Sequence, residues 1–314
     1  MRARAVCLFC LIALVACGRP TPPPSRSLRI FCAPALTPLL DSIRSDLRRD
    51  RGIELLVEAS GSIVACRKVS ELGRECDLLM LADSELVGRL LGGVCSWRLD
   101  FAGDEVVLAV GTRAPEPERA EEDWARALLE NDVRIGRVDE NLGPIGYRTL
   151  QVWMLQEQNG YSGLAQRLLA KCVVVADDVG RLTPLLKTGE LDYAFIYRSS
   201  CVAHDIRYIA LDPRVNLGSD NVDYSSATVT FAVLRAGARE SITVRGSPVV
   251  WTLTVPDRGA DTKTAADFIR YLLEKGCDAI ERNGFRPLRP AKYYGPASGL
   301  EPFAGLAVRA GEGP

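Results

Sequence analysis

The chain has 314 residues, 47% of them apolar and 25% charged, with a formal net charge of −1. The length suits about two domains. The composition is that of an ordinary globular protein and excludes a disordered chain, a coiled coil or a collagen, and the charge balance has no basic excess that would point to nucleic acid.

At the N-terminus, Arg2 and Arg4 precede an apolar run from Val6 to Val15. Its length of about ten residues is too short to span a bilayer. Leu14-Val15-Ala16-Cys17-Gly18 then places small residues at a cut, the layout of an export signal. The Leu-Val-Ala-Cys order resembles the bacterial lipobox, in which the cysteine becomes the lipidated first residue. Residues 1–17 are therefore read as signal and lipobox, with Cys17 as lipid anchor. Residues 18–27, with Pro20, Pro22, Pro23 and Pro24, read as a stiff, extended tether. No later stretch reaches 18 apolar residues, so attachment to a membrane is expected through the anchor only.

Strand and helix patterns then alternate. Leu28–Phe31 reads as a strand, and Pro38–Arg49 as a helix with Leu39, Leu40, Ile43 and Leu47 on one face. Strands follow at Ile53–Glu58 and Asp77–Leu81, helices at Ser62–Val69 and Ser84–Leu91, and a long strand at Asp104–Val110. After a polar segment the alternation restarts. It gives strands at Val133–Arg137, Cys172–Ala176 and Leu191–Tyr197, and helices at Trp124–Leu129, Ile145–Gln156 and Val179–Lys187, the last kinked or restarted at Pro184. Val229–Arg235 and Val249–Val255 are strands and Thr262–Lys275 a helix. The expected architecture is an α/β clamshell of two lobes, each a mixed, mostly parallel sheet flanked by helices. Residues 28–110 with 246–295 form one lobe, 111–245 the other, and 296–314 an irregular tail. In such sheets ligands sit beyond the carboxyl ends of strands, at helix N-termini. Four loops qualify: 32–38, 59–62, 138–146 and 198–204.

Of ten cysteines, Cys7 and Cys10 leave with the signal and Cys17 would carry lipid. Seven remain, so at least one stays unpaired or bridges chains. The mature chain has no CxxC pair, and His204 is its only histidine, so neither a metal site nor a cofactor is expected. With no P-loop in the chain, an ATPase would be a separate subunit.

Several motifs resemble one family in order and spacing. They are Gly61-Ser62-Ile63, Asp77-Leu-Leu-Met-Leu-Ala82-Asp83, Asn141 through Pro144-Ile145-Gly146-Tyr147-Arg148, Gly189-Glu-Leu-Asp-Tyr-Ala-Phe-Ile-Tyr197-Arg198, and Asn283-Gly284-Phe-Arg-Pro287. Over most of residues 28–293 the chain resembles the tungstate/molybdate-binding proteins of ABC importers, in the branch common in archaea. That resemblance implies a type II periplasmic-binding-protein fold with an oxyanion between the lobes. Serine side chains and backbone N–H groups donate to it, and an Asp and a Glu complete a metal sphere in some members. This chain departs at three of those positions. Ala35 stands at a donor serine, Gly143 at the aspartate and Val202 at the glutamate, while Ser62 survives.

The ligand-contacting positions implied are thus Ala35, Ser62, Asn141, Gly143, Ile145, Val202 and the loop tyrosine Tyr224. An oxyanion there would be held by neutral donors: Ser62, N–H groups near Asn141 to Ile145, and Tyr224. Each also has a plain structural reading. Ser62 can be a helix N-cap, Gly143-Pro144 a strand-to-helix turn, Arg148 a surface or inter-helix ion pair, and Tyr224 a packed loop residue. The expected function is an extracytoplasmic solute-binding lipoprotein, monomeric, that delivers a small oxyanion to an ABC permease by hinge closure. The alternatives are a binding fold repurposed for sensing or assembly, and a secreted enzyme using Cys201 and His204.

Overall fold

The computed structural model describes residues 26–235 and 238–312. The expected lipobox cysteine, Cys17, and most of the tether lie outside the described residues.

The chain begins with β1 (Arg26–Cys32), a 3-10 turn (Pro34–Leu36), α1 (Thr37–Arg51), β2 (Ile53–Ala59), α2 (Ser62–Ser70), β3 (Leu78–Leu81), α3 (Glu85–Leu90) and β4 (Arg98–Asp104). It continues with β5 (Val106–Val110), α4 (Pro117–Ala127), β6 (Ile135–Val138), α5 (Pro144–Glu157), α6 (Leu164–Lys171), β7 (Cys172–Ala176), α7 (Val179–Thr188), β8 (Tyr193–Tyr197), α8 (Arg198–His204) and β9 (Tyr208–Ala210). A hairpin of β10 (Thr228–Arg235) and β11 (Ala238–Arg245) leads to β12 (Val249–Thr254), α9 (Thr262–Glu274), α10 (Cys277–Arg282), β13 (Arg286–Tyr294) and β14 (Ala307–Gly311).

Two mixed sheets result, one per lobe. The larger runs β14-β13-β4-β12-β3-β1-β2, the smaller β7-β6-β8-β5-β9. Their central strands are covered on both faces: every residue of β3 (LLML), β5 (VVLAV) and β8 (YAFIY) is buried. Helices present apolar stripes to these faces. In α1 the stripe is Leu39, Leu40, Ile43 and Leu47, and Gly52 ends the helix in the left-handed conformation, φ 63°. Helix α5 packs against β5, β6 and β8 and also against β10, and almost its whole length is buried.

Several expectations are corrected. The chain crosses between sheets at Glu105 rather than after Val110, because Val106–Val110 pairs with β8 and β9. The tail expected to be irregular is extended by strands: Arg286–Tyr294 pairs with β4, and the ladder breaks between Pro287 and Lys292, where the prolines cannot donate. Beyond it, Ala307–Gly311 adds a parallel edge strand. Helix α7 runs through Pro184 without a restart. Helix α4 begins at Pro117, inside the segment read as a polar connection.

Candidate functional site

Three helix N-termini converge on one small cavity between the lobes. The cavity is lined by Gly61 and Ser62 at the start of α2, by Gly143, Pro144 and Ile145 at the start of α5, and by Asp178 and Val179 at the start of α7. Ala33, Pro34 and Ala35 at the 3-10 turn close one side, and Ala82, Val138, Asp177, Tyr197 and Trp251 the remainder. Its volume is about 20 Å³. A single water needs roughly 10–15 Å³ by the same measure, so the space as it stands holds about one water and excludes a sugar or an amino acid.

The first-turn N–H groups of a helix have no partner within the helix, and each helix carries partial positive charge at that end. Here α2 comes from one lobe and α5 and α7 from the other, so the two lobes jointly turn N–H groups onto one point. Among the described lining residues none is cationic. Asp178 is tied up as the cap of α7, accepting from the Gly180 N–H at 2.8 Å.

The lobes are shut across this point. A Cβ on Gly61 would lie 2.3 Å from the Leu142 carbonyl oxygen, so only glycine allows the approach. Gly146 is needed for a related reason: a Cβ there would meet the Asp139 carbonyl oxygen at 2.4 Å.

Of the residues singled out from the sequence, Ala35, Ser62, Gly143 and Ile145 meet in the cavity wall. Ser62 is not the N-cap; Gly61 is. The Ser62 hydroxyl instead accepts from the Ala82 N–H at 3.1 Å, which leaves its own proton free to donate. Asn141 shapes the loop rather than lining the cavity. Its amide donates to Asp139 at 2.6 Å and accepts from the Ala232 N–H at 2.9 Å. Val202 packs on the turn at Gly284 and stands outside the wall, because α8 leads away from the cavity toward α10. Tyr224 is also elsewhere. Its hydroxyl donates to the Pro213 carbonyl at 2.6 Å and accepts from the Ser219 N–H, which holds its own loop together.

The tyrosine that does reach the site is Tyr197. It is buried, lines the cavity, and its hydroxyl has no hydrogen-bond partner. A buried unpaired hydroxyl costs about 1–3 kcal/mol. Burial raises its pKa, so it stays protonated and able to donate. Trp251 holds the ring edge-on at 5.1 Å.

Behind the cavity lies a buried polar cluster. Asp83, just after β3, accepts from the Tyr147 hydroxyl at 2.5 Å and from Arg148 Nη2 at 3.0 Å. Arg148 is 1% exposed, so it is neither a surface nor an inter-helix pair: its partner is a loop of the other lobe.

Cys201 is fully buried and burial pushes its thiol pKa up, the reverse of an activated nucleophile. Burial also lowers the pKa of His204. Among the described residues no group of three or more His, Cys, Asp or Glu side chains could hold a metal ion. No helix among them is long and apolar enough to cross a membrane.

This is the architecture of a type II periplasmic binding protein. Residues 28–286 match the bacterial extracellular solute-binding protein family, and the chain belongs to it. It is a binding protein, not an enzyme. It is 34% identical over 245 residues to an uncharacterised solute-binding protein of Petrotoga mobilis, covering 76% of each chain. It is 28% identical over 301 residues to the molybdate/tungstate-binding protein WtpA of Pyrococcus abyssi, covering 85% of this chain and 86% of that one. Among solved structures, the periplasmic molybdate-binding protein of Azotobacter vinelandii superposes with a TM-score of 0.61 at 16% identity, over 82% of this chain and 98% of that one.

Proposed function

We propose that this protein is the lipid-anchored solute receptor of an ABC importer and captures a small tetrahedral oxyanion, molybdate or tungstate among them, by closure of its lobes. The observation that carries this reading is the convergence of the α2, α5 and α7 N-termini on one small cavity lined by Ser62 and Tyr197. Helix N-termini and hydroxyls are donors, as an anion requires, and they stand here beside Asp177 and Asp178 in the wall. The resemblance to molybdate/tungstate-binding relatives supports the same class. Gly143 and Val202 supply no carboxylate, so the anion is held through its oxygens and not as an octahedral metal centre. Discrimination between tungstate and sulfate-like anions is therefore weak. Ligand binds the closed state better and shifts the population toward it, and the permease reads that closed form.

Calorimetry with tungstate, molybdate, sulfate and phosphate tests this on wild type, Ser62→Ala and Tyr197→Phe. A hydrogen bond to a charged group contributes about 1.5–3 kcal/mol, so each substitution should weaken binding by roughly tenfold or more. Heat from none of the four anions, or binding indifferent to both substitutions, would remove this reading.

A further inference from the structure

The buried cluster behind the cavity spans the two lobes and has no part in ligand contact. Asp83 belongs to the larger-sheet lobe, following β3, and Tyr147 and Arg148 to α5 of the other. Asp83, Tyr147 and Arg148 are 4%, 1% and 1% exposed. Asp83 accepts from both partners, and Arg148 also donates to the Ser247 carbonyl at 3.2 Å, where the chain returns to the first lobe. Tyr147 is held flat against Phe231 of the hairpin, at 5.2 Å and 3° between ring planes.

The cluster is wired to the cavity from both sides. Asp83 follows Ala82, which lines the cavity and donates to Ser62. Tyr147 and Arg148 lie within a turn of Pro144 and Ile145, which line it from α5. Separation of the lobes along this line leaves a carboxylate and a guanidinium without each other. Burial makes that separation costly unless water enters.

We infer that Asp83, Tyr147 and Arg148 form an inter-lobe latch that holds the cleft shut before ligand arrives and so sets affinity through the closed fraction. These are positioning residues: they act on the lobes, not on the anion. Apparent affinity scales with the population of the binding-competent state, so weakening the latch lowers affinity for every anion by the same factor. The inference rests on the closure mechanism proposed above, but not on which anion binds.

The test is hydrogen exchange on the ligand-free mature lipoprotein in detergent, followed by tungstate and sulfate titrations. Tyr147→Phe keeps the stack on Phe231 and removes only the hydroxyl. Asp83→Asn removes the charge and leaves Arg148 buried without its counter-ion. Both should speed exchange at residues 61–66 and 142–148 about tenfold while leaving β1 and β8 protected, and both should weaken any anion that binds by one common factor. Ser62→Ala is the contrast: it frees the Ala82 N–H locally and weakens binding, but leaves ligand-free exchange at 142–148 on the opposite lobe unchanged. If Asp83→Asn loses its fold, seen as lost protection in β1 and β8, Tyr147→Phe carries the test alone. Unchanged exchange at both segments in Tyr147→Phe overturns the latch. If none of the anions binds wild type, the oxyanion reading fails while the exchange comparison still decides the latch.

Discussion

Gly61 permits the close approach of the two lobes. Its φ of −49° is open to any residue, so Gly61→Ala leaves the local backbone unstrained. What alanine adds is a methyl group 2.3 Å from the Leu142 oxygen on the opposite lobe. We expect Gly61→Ala to melt at about the wild-type temperature yet bind its anion at least about tenfold more weakly, since 1.4 kcal/mol of lost closure is already a factor of ten. Thermal melting and calorimetry on the same preparation check this, and wild-type affinity in Gly61→Ala would show that the bound state does not bring these loops together. The glycine-serine pair was legible in the sequence because it sits between a strand and a helix, where ligand loops fall. Tyr197 was not. All five residues of β8 are buried, so the in-out alternation that normally tells which side chain faces a cleft is missing, and Tyr224 in its polar loop drew attention instead. Arg148 was misread for a different reason: its partner Asp83 is 65 positions away, and no local pattern links them.

At the scale of elements, the step from β4 to β5 joins the lobes, and Asp104 is its buried fixture. The carboxylate accepts from the Glu105 N–H at 2.8 Å and from Trp251 Nε1 at 3.2 Å, with the Ser199 N–H at 3.4 Å. Burial pushes its pKa up to about 6, and these donors offset only part of that. A group with a raised pKa holds its proton more tightly folded than unfolded. Stability from Asp104 is therefore full below about pH 4 and falls as pH rises to about 6. A two-unit shift corresponds to about 3 kcal/mol. The melting temperature of wild type minus that of Asp104→Asn should fall by several degrees between pH 4 and pH 7; a difference that is flat with pH would show that Asp104 does not titrate in this window. Elements of this kind were visible wherever periodicity was strong, as in α1, β5 and α5. They were hidden where proline or charge masked it: β13 contains Pro287 and Pro290, β11 carries the adjacent charges Arg239 and Glu240, and β14 is a short edge strand in a segment with no periodic signal.

At the scale of the whole molecule, the family is extracellular and no helix among the described residues is long and apolar enough to cross a membrane. β1 begins at Arg26 in the larger sheet, which leaves residues 18–25 between that strand and Cys17. A single acyl chain binds membranes only marginally, and stable anchoring needs a second signal or chain, so the proposed anchor requires multiple acylation at Cys17. The expected outcome for Cys17→Ala is loss of the lipid-modified mature form. The protein should then appear either released into the soluble extracytoplasmic fraction or retained with residues 1–16 uncut, since cleavage follows lipid addition in this arrangement. Fractionation with intact-mass measurement distinguishes the two products from the wild-type form. A Cys17→Ala protein still cut at residue 16 and still bound to the membrane would place the attachment elsewhere in the chain, and the tether would then be only a spacer.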